Sequence, residues 1–101
     1  MLKNFRTYQQ SLSFYHYCEQ TRLPGFLKNQ LLRASSSISL NLAEGSAKPM
    51  GKDRLRFYRI ALGSLRECQA ICDLNPQLGG LQAMADQLGG CLYRLCYHLP
   101  P

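Results

Sequence analysis

The sequence contains no apolar stretch long enough to cross a membrane. A membrane-spanning helix needs about 20 consecutive apolar residues, whereas here polar residues interrupt the hydrophobic ones along the whole chain. The first ten residues, MLKNFRTYQQ, also lack the apolar segment of a secretory signal peptide. These absences predict a cytoplasmic protein that does not bind membranes.

The sequence also lacks the motifs of common enzyme sites. It has no G-x-x-x-x-G-K-[ST] loop for binding phosphates. Neither His16 nor His98 is placed as an evident base for a serine nucleophile, and no paired carboxylates can be assembled from so few acidic residues. We therefore predict that the protein is not an enzyme and needs no cofactor.

The cysteines are odd in number and include no C-x-x-C pair; they are Cys18, Cys68, Cys72, Cys91 and Cys96. Their apolar surroundings predict reduced, buried thiols. A metal site that uses Cys68 and Cys72, one helical turn apart, is the alternative. In an antiparallel hairpin, however, Cys91 would lie about 10 Å from their level, too far to share a metal ion. We expect no metal site.

Acidic residues are scarce, with six against twelve lysines and arginines, so the formal net charge is +6. A basic surface on a small domain favours polyanions, chiefly nucleic acid. An acidic protein partner would satisfy the same surface and is the alternative. Binding to nucleic acid and binding to an acidic protein would differ in their dependence on salt and in whether added nucleic acid competes.

The most informative segment is a predicted third helix over residues 52–74. Its apolar side chains spread over about 220° of the circumference, whereas a helix that faces one core needs only somewhat more than about 100°. The helix is therefore expected to bury one side in its own fold and another against a second subunit. The rest of its circumference carries what we term the basic ridge: Lys52, Arg56, Arg59 and Arg66. We expect the ridge to face away from both apolar surfaces.

Helical spacing of apolar residues predicts three further helices, over about residues 2–21, 26–44 and 76–98. Pro24 separates the first two helices, and Asn75 with Pro76 supplies the fourth with an N-cap and a first helical residue. Short connections make successive helices antiparallel neighbours. The sequence thus predicts one all-α domain, residues 1–101, folded as an antiparallel up-down-up-down four-helix bundle.

Small residues carry further predictions. Gly45 is expected to end the second helix in the left-handed conformation. The serines of that helix are expected to let neighbouring helices approach closely. Gly89 and Gly90 lie inside the fourth helix, where each costs about 1 kcal/mol relative to alanine. Such a pair predicts either a kink or tight contact with a neighbouring helix.

Residues 31–74 also contain a recognisable series: Arg33-Ala34-Ser35, then Ser37-Ile38-x-x-Asn41-Leu42-Ala43-Glu44-Gly45, then Arg56-Phe57-x-x-Ile60-Ala61-x-Gly63-Ser64-x-x-Glu67. In these residues the chain resembles the four-helix-bundle proteins encoded in 23S ribosomal RNA intervening sequences. That family is related to the accessory variability proteins of diversity-generating retroelements. The resemblance implies assembly into a ring, commonly a pentamer. It also implies association with RNA or with a reverse transcriptase, and no known catalytic activity.

Taken together, these features predict a non-enzymatic, homo-oligomeric scaffold that binds nucleic acid, RNA in preference, and that docks a reverse transcriptase. The predicted nucleic-acid-binding residues are Lys48, Lys52, Arg54, Arg56, Arg59 and Arg66. The predicted subunit interface consists of Phe57, Ile60, Ile71, Leu40, Phe14 and Tyr17. A protein-interaction module whose basic face binds an acidic partner is the alternative function.

Overall fold

A computed structural model of the chain describes residues 2–97. A short 3-10 helix at Leu2–Asn4 precedes four α-helices, numbered α1 to α4: Arg6–Gln20, Gly25–Ser46, Lys52–Leu74 and Gly79–Tyr97. Residues 2–97 form no strand, and none of their helices has the length and apolar character to span a membrane. The all-α prediction is confirmed.

Each helix packs against the next one along the chain, and α1 also packs against α4. Contacts between α2 and α3 show their relative direction. The hydroxyls of Ser37 and Ser64 lie 2.9 Å apart, while Gly45, further along α2, lies against Tyr58, earlier in α3. Residue numbers therefore rise along α2 as they fall along α3. The bundle is antiparallel, and its longest dimension is 41 Å.

The core is one cluster to which all four helices contribute. The apolar residues at helical spacing, whose period predicted these helices, are buried in α2 at Leu31, Ile38 and Leu42 and in α4 at Leu81 and Leu92. Side chains at spacings of three and four share one face of a helix. The spacing in the sequence therefore identified the buried faces of these two helices.

The ends of two helices differ from the prediction. The first predicted helix is interrupted, because α1 begins at Arg6 after the 3-10 turn. Asn75 is not the N-cap of α4. Its side-chain amide donates a hydrogen bond to the Ile71 carbonyl at 2.8 Å, which helps to end α3, and α4 begins only at Gly79. The predicted end of the fourth helix at His98 lies outside the described residues.

Gly45 also has a role other than the predicted one. It remains helical within α2, where a Cβ atom at this position would lie 2.8 Å from Cε1 of Tyr58. The glycine therefore permits close packing of α2 against α3. A positive φ occurs instead at Gly51, where φ of 138° and ψ of −156° give an extended conformation open to glycine just before α3 begins.

Three serines and most of the cysteines face the interior. Ser11 of α1 and Ser39 of α2 are buried and share a hydrogen bond of 2.8 Å, so these small polar groups join two helices that pack closely. All five cysteines are free thiols, and four of them are buried. Burial raises the pKa of Cys18 to about 12, although a hydrogen bond from Ser35 opposes the effect. Such thiols are neutral and unreactive at neutral pH.

Candidate nucleic-acid interface

The basic ridge lies on the outer surface of α3, and its four side chains are all exposed: Lys52, Arg56, Arg59 and Arg66. They point outward because the opposite side of α3 places Leu65 and Cys68 in the core. A shallow groove along this surface is lined by three of the ridge residues together with Leu55 and Ile60. The ridge therefore contacts apolar side chains as well as solvent.

This mixing corrects the expectation that the ridge faces away from the apolar surfaces. The guanidinium of Arg56 lies 4.5 Å from the centre of the Phe57 ring, and its Nε lies 3.8 Å from a carboxylate oxygen of Asp53. Neighbouring positions on a helix are only about 100° apart. A long arginine side chain spans that distance and covers its apolar neighbour.

Lys52 and Arg59 are the two ridge residues that form neither a salt bridge nor a side-chain hydrogen bond within residues 2–97. The guanidinium of Arg59 lies 5.2 Å from the centre of the Tyr97 ring on α4, a distance at which a cation is attracted to an aromatic face. Both charges remain available to an anion in solution.

Arg54 is held by the backbone. It is half-buried, its Nε and Nη2 donate hydrogen bonds to the Lys48 carbonyl at 3.1 and 2.7 Å, and Nη2 also donates to the Ser46 carbonyl at 3.2 Å. These carbonyls lie at and just after the end of α2, where helix carbonyls lack partners within the helix. Arg54 therefore fastens the end of α2 to the start of α3.

Lys48 and Arg66 are partly engaged with other side chains. The ammonium of Lys48 lies 3.4 Å from a carboxylate oxygen of Glu44. Arg66 donates to the Gln69 side-chain carbonyl at 2.8 Å, and Gln69 donates in turn to Asp86 of α4 at 3.1 Å. Both pairs are on the surface, where such contacts are weak. The Glu44 carboxylate offsets part of the charge of Lys48, whereas the neutral Gln69 side chain positions Arg66 without offsetting its charge.

The basic surface is larger than α3 alone. We define the basic half as the half of the bundle in which α1 and α3 begin and α2 and α4 end, namely residues 2–13, 36–63 and 88–97. It contains eight of the twelve basic side chains and two of the six acidic ones, an excess of six positive charges. The other half contains four of each. The entire net charge of the protein therefore belongs to one half of the bundle.

Three basic residues of this half were missed by the sequence analysis: Lys3, Arg6 and Arg94. Arg6 and Arg94 line opposite sides of a groove between α1 and α4. They are far apart in the sequence, and their charge adds to that of α3 only because the helices alternate in direction. A map of charge against predicted helix direction could have found them.

The predicted subunit interface is partly exposed. Leu40 is 68% exposed and Ile60 41%, Tyr17 is also exposed, and Phe57 is half-buried. Phe14 and Ile71 need correction, because they are only 1% and 3% exposed and belong to the core of the single chain. They offer no surface to a second copy. The spacing within one helix does not show how far neighbouring helices wrap around it.

No group of three or more histidine, cysteine or acidic residues within positions 2–97 could hold a metal ion. His16 pairs instead with Glu19, at 3.0 Å between Nδ1 and Oε1, on the exposed side of α1. Buried serines contact each other or backbone carbonyls. Among the described residues, the feature that indicates a binding site is therefore the concentration of positive charge.

Comparison with protein families finds one match over most of the chain. The model of the family described as 23S rRNA-intervening sequence protein matches residues 3–92, a range that includes all but the last turn of the bundle. No curated protein matches the chain.

Proposed function

Because the chain belongs to the 23S rRNA-intervening sequence protein family, we propose that it is a non-enzymatic scaffold that assembles into a ring and binds RNA through the basic half of each subunit. The observation that carries the proposal is the concentration of the whole net charge in that half. Because the description of the family names ribosomal RNA, we propose RNA as the partner in preference to other polyanions.

The distribution of charge argues for binding beyond solubility. Charges that only prevent aggregation can be scattered over the surface, whereas here the excess is collected within about half of a 41 Å molecule. RNA carries a dense row of phosphates, and a protein that neutralises them releases condensed counterions. A surface on which positive charge is concentrated contacts several phosphates at once, so counterion release contributes most to its binding free energy.

The proposed assembly rests on the exposed apolar residues. Leu40 and Ile60 lie on the side formed by α2 and α3, whereas Tyr17 lines a groove between α1 and α4. A ring forms when one surface of a subunit contacts a different surface of the next. We propose five subunits because the family resemblance implies a ring that is commonly a pentamer. A ring would repeat the basic half in every subunit and raise RNA affinity through multivalency.

We also propose a second partner, a reverse transcriptase, because the family resemblance implies a relation to the accessory variability proteins of diversity-generating retroelements. In this proposal the ring holds RNA beside the polymerase. Co-purification of the tagged chain with a reverse transcriptase encoded beside it, before and after ribonuclease treatment, tests whether the contact is direct or requires RNA.

The first test replaces together the two ridge charges that have no hydrogen-bond or salt-bridge partner within residues 2–97, Lys52→Gln with Arg59→Gln. We expect RNA affinity at moderate salt to fall at least about tenfold, equivalent to about 1.4 kcal/mol. The slope of log affinity against log salt should become shallower by about 1.4 for single-stranded RNA if two phosphate contacts are lost. Fluorescence anisotropy with a labelled RNA, over a series of salt concentrations, measures both quantities.

The matched control is Arg22→Gln with Arg33→Gln, which removes the same charge from exposed positions in the other half. We expect its affinity to stay within about twofold of the parent, because local phosphate contacts outweigh distant charge at physiological salt. An equal loss in both variants would show that only total charge matters. An acidic protein as the true partner would appear as binding that excess RNA does not displace.

A further inference from the structure

We propose that Tyr93 and Tyr97 of α4, together with Arg59 of α3, form a platform that stacks unpaired bases of single-stranded RNA. The inference deepens the proposed function and rests on it, since it names the form of RNA that the basic half would take. It assigns a role to two tyrosines that lie in the basic half but do not contribute to its charge.

The two tyrosines are neighbours on one face of α4, four residues apart. Their ring centres lie 4.9 Å from each other at an interplanar angle of 46°. They are 52% and 50% exposed, so each ring offers much of its surface to solvent. Within residues 2–97 neither hydroxyl has a hydrogen-bond partner. The pair is therefore accessible and is not tied to the core by polar contacts.

Positive charge lies beside one ring of this pair. The guanidinium of Arg59 lies 5.2 Å from the centre of the Tyr97 ring and has no acidic partner between positions 2 and 97. Arg94 follows Tyr93 directly and is exposed. The two acidic residues of the basic half are engaged elsewhere, Glu44 with Lys48 and Asp53 with Arg56. No described carboxylate therefore neutralises the charge beside the rings.

This combination matches the chemistry of a single strand. Proteins that bind single strands combine a cationic surface for the backbone with aromatic rings on which bases stack. A duplex presents its phosphates but keeps its bases stacked inside. It can therefore contact the basic side chains of the protein but cannot stack its bases on the tyrosine rings. An acidic protein would likewise pair with the basic side chains, but its carboxylates would make no stacking contact with the rings.

The first experiment compares a labelled single-stranded RNA with a duplex that contains the same sequence, by fluorescence anisotropy. Changing Tyr93→Leu and Tyr97→Leu together keeps apolar bulk and removes the rings. We expect single-strand affinity to fall about tenfold or more, while duplex affinity changes less than about twofold. Tyr93→Phe with Tyr97→Phe should retain single-strand affinity, because stacking needs the ring and not the hydroxyl. Phe26→Leu, at an exposed aromatic residue of the other half, should change neither affinity.

The outcomes separate the two proposals. A parent protein that binds neither RNA would refute the proposed function and the platform with it. A parent that binds both, with leucine variants that bind equally well, would refute only the platform. A leucine variant of altered oligomer mass by light scattering would assign the tyrosines to a subunit contact and overturn the platform.

A second experiment detects stacking without depending on affinity. The chain contains no tryptophan, so Tyr97→Trp introduces a single tryptophan at the platform, whose emission can be excited apart from that of the tyrosines. We expect saturating single-stranded RNA to quench its emission, whereas Phe26→Trp should be quenched little under the same conditions. Anisotropy of the labelled RNA confirms saturation. Unquenched emission from Tyr97→Trp in a saturated complex would overturn the proposal.

Discussion

Gly89 and Gly90 are neighbours in α4 but have different surroundings. Gly89 is buried, and a Cβ atom there would lie 3.1 Å from Cδ1 of Leu65 and 3.2 Å from Nε2 of Gln69 on α3. A Cβ atom on Gly90 would approach only the flexible end of Arg94, at 3.7 Å. Of the two predicted reasons for the pair, close contact with a neighbouring helix therefore applies to Gly89.

At the residue scale, we predict opposite effects from two substitutions. Gly89→Leu should lower the free energy of unfolding by about 1–3 kcal/mol, because the added side chain forces α4 away from α3. Gly90→Ala should raise it by up to about 1 kcal/mol, because alanine is the better helix former and meets no rigid neighbour. Urea denaturation followed by circular dichroism measures both. A Gly89→Leu variant as stable as the parent would contradict the packing role.

Among the helices, the junction between α2 and α3 depends on one side chain. Arg54 donates hydrogen bonds to the carbonyls of Ser46 and Lys48, so it stabilises the end of one helix from the first turn of the next. At 100° per residue Arg54 lies on the apolar side of α3, and these hydrogen bonds explain why a charged side chain occupies that position. Its structural role competes with the predicted role in binding RNA.

For this element, we predict that Arg54→Lys lowers the free energy of unfolding by about 1–2 kcal/mol although the charge is retained. Lysine cannot reproduce the planar fork that reaches both carbonyls. Arg59→Lys is the control and should leave stability unchanged, because the Arg59 side chain donates no hydrogen bond among the described residues. Thermal or urea unfolding decides the matter. If Arg54→Lys were as stable as the parent, Arg54 would return to the list of RNA-binding candidates.

For the whole molecule, the arrangement of exposed apolar residues bears on the proposed ring. Leu40 and Ile60 are exposed on the side formed by α2 and α3, next to the half-buried Phe57. The basic half includes all three residues, so assembly and RNA binding would use adjoining parts of the surface. A change in one property is then expected to affect the other through the number of linked subunits.

At this scale, we predict that Leu40→Glu with Ile60→Glu reduces the oligomer to single chains of 11.5 kDa at micromolar concentration. Burying an unpaired carboxylate in an apolar contact is unfavourable, and loss of multivalency should also weaken RNA binding. Light scattering measures the mass. Met50→Glu, at an exposed apolar residue of the loop before α3, should leave the assembly intact. A parent protein that is itself monomeric would remove the ring from the proposal.

The sequence by itself determined the helices and most of their buried faces. The bounds of α3, residues 52–74, agree with the prediction, and apolar residues at helical spacing in α2 and α4 are buried. These features depend on local rules, namely the helical period and the breaks caused by proline. Local rules can be applied to one segment without knowledge of the others.

Only the tertiary structure decided which side chains meet. It buried Phe14 and Ile71 in the core of the chain, placed Gly45 against Tyr58, and brought Arg59 over the ring of Tyr97. It also collected the net charge in one half of the bundle. The spacing within a helix fixes positions around its own axis, whereas its rotation and height relative to other helices depend on how all four pack into one core.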